Sequence, residues 1–103
     1  MIQPTLQFVD AHQLKSWAHD ASELALLDIR EHGQYGEDHL FFAVPLPYST
    51  LELNIFRLVN SKSTRIVVYA DARSQADVPA AASVLFRLGY TQVYALEDGI
   101  SSW

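Results

Sequence analysis

The sequence predicts an α/β domain with a central, mostly parallel five-stranded sheet and helices on both faces. Three observations lead there. Strand-like and helix-like segments alternate along the whole chain. Leu24-Ala25-Leu26-Leu27 and Ile66-Val67-Val68-Tyr69 are continuously apolar, as strands covered on both faces are. Half of the 103 residues are hydrophobic, enough for one core and no more than one domain.

The elements follow in order. Leu6-Gln7-Phe8-Val9 is a short strand, and Asp10 has the chemistry of an N-cap for a helix over Ala11 to Trp17 with Leu14, Trp17 and Ala18 as its apolar stripe. Leu24 to Ile29 is the second strand, and a polar, glycine-containing stretch runs from Arg30 to His39. Ala43-Val44-Pro45-Leu46-Pro47 is a brief edge strand, since proline donates nothing to a central ladder. Ser49 or Thr50 caps a helix carrying Leu51, Ile55, Leu58 and Val59 on one side, and Asn60 to Ser63 stops it. Arg65 to Tyr69 is a buried strand running into a loop from Ala70 to Asp77. Asp77 then caps a helix over Val78 to Leu88, with Pro79 in its first turn and Gly89 just past its end. Val93 to Leu96 is the last strand, and Glu97-Asp98-Gly99 turns into a short terminal helix. In open sheets of this kind function sits at the carboxyl ends of strands, here around Asp28-Ile29-Arg30 and Ala70-Asp71.

Composition excludes several classes of function. A net charge of −5 with seven scattered Lys and Arg residues argues against a nucleic-acid surface or an anionic membrane as partner. With no cysteine, the chain has no disulfide framework, no thiolate metal site and no thiol chemistry of its own. The N-terminus lacks a basic region followed by an apolar run, and no stretch reaches the length of a membrane span, so a cytoplasmic location is expected. The end at Gly99-Ile100-Ser101-Ser102-Trp103 reads as a cut domain rather than a natural tail, which predicts residues 1–103 to be one domain of a longer protein.

Two blocks carry a family likeness. The first is Leu27-Asp28-Ile29-Arg30-Glu31, Gln34-Tyr35, Asp38-His39-Leu40 and Phe42-Ala43-Val44-Pro45-Leu46, with Asp38 and Phe42 where glycine is usual. The second is Ile66-Val67-Val68-Tyr69, Ala80 to Tyr90, and Val93 to Trp103. Together they resemble the rhodanese-like (sulfurtransferase) domain family, which implies a three-layer fold. In active members, by that resemblance, a cysteine directly after the Val-Val-Tyr strand is cradled by backbone N–H groups at a helix N-terminus and carries sulfane sulfur as a persulfide. Ala70 stands at that position. The degenerate loop is Ala70, Asp71, Ala72, Arg73, Ser74, Gln75, Ala76 and Asp77, longer than the usual six-residue cradle and acidic at both ends.

No residue of this loop replaces the thiol. Ser74 has no histidine near it in sequence to act as base, and Asp71 has only Asp77 as a partner for a magnesium site. Asp28, Arg30 and Arg73 are the candidate anion or structural contacts. Arg30 is read first as the partner of nearby acidic groups, Asp28 as a strand-end acceptor, and Arg73 as a solvated loop charge. If Asp77 caps the helix, its carboxylate takes the anion position and the site is self-neutralised. The histidines His12, His19, His32 and His39 form no H-x-x-x-H pair, so neither a metal nor a cofactor is expected. The aromatics Tyr35, Phe41, Phe42, Tyr48, Trp17 and Trp103 read as core or domain-edge residues, with Phe41-Phe42 as an alternative contact surface.

The expectation is a catalytically inactive domain with a structural, regulatory or interaction role. Its implied partner is another rhodanese-like domain, in cis or in an oligomer. The alternatives are a thiosulfate-type sulfurtransferase function using a cysteine from another domain or partner, and small-anion sensing through the loop 70–77.

Overall fold

A computed structural model of the chain describes residues 6–18, 24–30, 43–70 and 76–96. Five strands make one sheet: β1 (Gln7–Val9), β2 (Leu24–Asp28), β3 (Val44–Pro45), β4 (Arg65–Tyr69) and β5 (Val93–Leu96). Their order is β1-β5-β4-β2-β3, and every pairing is parallel. The helices are α1 (Ala11–Ala18), α2 (Leu51–Leu58) and α3 (Asp77–Arg87), with a one-turn 3-10 helix at Tyr48–Thr50 leading into α2. The short terminal helix expected after β5 falls on residues 97–103, which lie outside the described residues, as do the rest of the 30–39 stretch beyond Arg30, Phe41 and Phe42.

Strand alternation divides the core into two layers. Ile66 and Val68 of β4 face one side and join Leu51, Ile55 and Val59 from the α2 region and Val78, Ala81, Ala82 and Leu85 of α3. Val67 and Tyr69 face the other, with Leu14 of α1, Val9, Leu26 and Leu96. The sheet is therefore covered on both faces, as the apolar runs at β2 and β4 required.

The helix ends show how local chemistry was satisfied. The Gln13 N–H donates to Asp10 Oδ1 at 2.7 Å, so Asp10 caps α1 as expected. Thr50 holds the N-cap position of α2 without capping it; its hydroxyl turns back toward the Pro47 carbonyl at 3.4 Å, because the 3-10 turn feeds straight into the helix. Leu58, expected on the apolar side of α2, is 42% exposed. The buried stripe runs through Leu51, Ile55 and Val59 at four-residue steps, and Leu58 falls off its flank. At the end of α3, Gly89 has φ +102°, its N–H donates to Phe86 O at 3.0 Å, and the Tyr90 N–H donates to Leu85 O at 3.1 Å. That pair of bonds is a Schellman motif, and it demands the left-handed backbone that glycine adopts freely.

Candidate functional site

The carboxyl ends of β2 and β4 meet side by side, with Asp28 in register with Tyr69. Asp28 is fully buried and Arg30 nearly so. Arg30 Nη2 donates to Asp28 Oδ2 at 2.8 Å, and Arg30 Nε donates to Oδ1 at 3.0 Å and to Oδ2 at 3.3 Å. The Arg30 backbone N–H adds a bond to Oδ1 at 3.0 Å, and the Tyr69 hydroxyl donates to Oδ2 at 2.8 Å. A buried carboxylate survives only when its lone pairs are met, and here a guanidinium fork, an amide and a phenol meet them. The Arg30 guanidinium also lies 5.9 Å from the Tyr69 ring centroid.

This arrangement has a chemical consequence. The Asp28 carboxylate is occupied by donors on both oxygens, so it is poorly disposed to act as an acid or base. Two of the three nitrogens of the Arg30 guanidinium are directed to Asp28. Backbone bonds stiffen the same corner: the Ile29 N–H donates to Tyr69 O at 3.1 Å, Leu46 N–H to Asp28 O at 2.9 Å, and Tyr48 N–H to Ile29 O at 3.0 Å. Arg30 was expected to pair with nearby acidic groups and Asp28 to be a strand-end acceptor, and the structure joins the two. Tyr69 was not singled out, although a tyrosine closing a buried strand needs a partner for its hydroxyl and so carried a signal.

Ala70 follows β4 directly and is fully buried. By alternation its methyl belongs with Ile66 and Val68, and it joins the layer that contains Ile29, Val78 and Ala81. Asp28 and Tyr69 face the opposite side of the sheet. The two features that the sequence placed together at the strand ends are thus divided between the two faces.

Asp77 corrects an expectation. It is the first residue of α3, and the N-cap position is Ala76, whose φ of −65° and ψ of −21° are already helical. A capping side chain needs an extended backbone at its own residue, which a position inside the helix lacks. The carboxylate of Asp77 remains in the first turn, where the helix dipole favours a negative charge, but no side-chain capping bond forms. The self-neutralised site that rested on Asp77 as a cap therefore loses its geometric basis. Asp71, Ala72, Arg73, Ser74 and Gln75 lie outside the described residues, as do His19, His32 and His39. Among the described residues no group of three His, Cys, Asp or Glu is placed to hold a metal ion, and no helix is long and apolar enough to cross a membrane.

Comparison with known proteins converges on one family. The rhodanese-like domain model matches residues 10–103. A crystal structure of thiosulfate sulfurtransferase from Pseudomonas aeruginosa is 39% identical with a TM-score of 0.87; the alignment covers 95% of this chain and 18% of that one. The rhodanese-like domain of the Alr3790 protein from Anabaena, solved by NMR, is 29% identical with a TM-score of 0.75, covering 97% of this chain and 74% of that one. A rhodanese with anions from E. coli is 28% identical with a TM-score of 0.64, covering 75% and 92%. This chain thus spans under one-fifth of the Pseudomonas protein. Comparison with curated proteins gives no match. The family match over nearly the whole chain, on a five-stranded parallel sheet with helices on both faces, makes this chain a member of the rhodanese-like domain family.

Proposed function

We propose that this chain is a rhodanese-like domain without sulfur-transfer activity of its own, acting as a structural or interaction module that packs against another rhodanese-like domain, in cis or in an oligomer. One observation carries the reading: Ala70 occupies the position after β4, in a chain with no cysteine. Persulfide chemistry needs a thiolate, and an alanine methyl has no lone pair to attack sulfane sulfur. The 39% identity to a segment making up 18% of a thiosulfate sulfurtransferase supports a place within a longer polypeptide. The proposed setting is the cytoplasm, which fractionation of cells expressing the tagged chain checks; recovery with membranes or outside the cell overturns it.

A cyanide–thiosulfate assay tests the catalytic half. The isolated chain is expected to form no thiocyanate above background. Turnover that disappears on changing Asp71 or Ser74 would sink the proposal. The same Pseudomonas relative favours a second reading, in which the domain contributes to sulfur transfer through a cysteine supplied by another domain. Under that reading the chain is silent alone but raises the turnover of a cysteine-bearing domain added to it.

A further inference from the structure

We draw no further inference here: the strongest candidate, the apolar surface patch on α2 made by Leu53, Phe56 and Leu58, carries nothing because nothing in the structure shows what covers it.

Discussion

Asp28 and Ala70 set the chemistry of the strand ends, one by what surrounds it and one by what it lacks. Burying a carboxylate costs several kcal/mol unless it is paired and its remaining lone pairs are bonded. Arg30 and Tyr69 supply that pairing across two strands, and the planar guanidinium fork is a geometry that lysine cannot reproduce. Ala70, by contrast, is a methyl packed into the layer beneath α2 and α3. Ala70→Cys is therefore expected to fold and yet to give little or no sulfur transfer. Burial pushes a thiol upward from its ordinary value of about 8.5, and the acidic groups of the loop, Asp71 and Asp77, act in the same direction. Titration of the introduced thiol by its thiolate absorbance checks this; a value well below the ordinary one, or rapid thiocyanate formation, contradicts it.

At the scale of elements, the end of α3 is held by more than its own backbone. Lys62 Nζ donates to Leu88 O at 2.7 Å, placing a cation at the helix C-terminus, and lies 3.7 Å from the Phe56 ring centroid and 4.3 Å from that of Tyr90. Gly89 makes the turn that brings Tyr90 beneath this cation. A Cβ at position 89 would meet Lys62 Cδ at 3.8 Å, an ordinary contact, so the cost of substitution is the positive φ itself. Gly89→Ala is expected to destabilise the chain by about 1–2 kcal/mol, read as a lower urea midpoint with an unchanged slope. An unchanged midpoint would show that the turn relaxes away from φ +102° at no cost. The Schellman turn was legible in the sequence because Gly89 follows a periodic apolar run. The absence of a Thr50 cap was not, since it depends on the 3-10 turn that precedes α2.

For the molecule as a whole, Tyr90 couples folding to alkaline pH. It is buried and its hydroxyl donates to the Val59 carbonyl, joining the end of α3 to the end of α2. Burial raises its pKa above the usual 10.0, because the phenolate would be desolvated. Below about pH 10 both folded and unfolded states keep the proton, and this group leaves stability unchanged. Above that pH the unfolded chain releases the proton first, so stability falls as pH rises toward and through the folded-state value. Comparing denaturation midpoints with Tyr90→Phe across this range isolates the effect. The variant is expected to lose part of the alkaline decline, and identical pH profiles would refute the linkage. Tyr90→Phe should also lose about 1 kcal/mol at neutral pH from the missing hydrogen bond.

The sequence by itself determined the alternation of elements, the parallel and doubly covered sheet, the caps at Asp10 and Gly89, a nearby acidic partner for Arg30, and an alanine directly after the buried Ile66-Val67-Val68-Tyr69 run. Each is local, carried by side-chain period, by a residue's own backbone preference, or by a short spacing. Tertiary structure alone decided that Asp28 is the acid Arg30 pairs with, that Tyr69 completes its network, that Ala70 packs on the opposite face from it, that Asp77 lies inside α3, and that β1 and β3 are the outer strands of the sheet. Those outcomes depend on the register between β2 and β4 and on the order of strands in the sheet, which pair residues far apart in sequence.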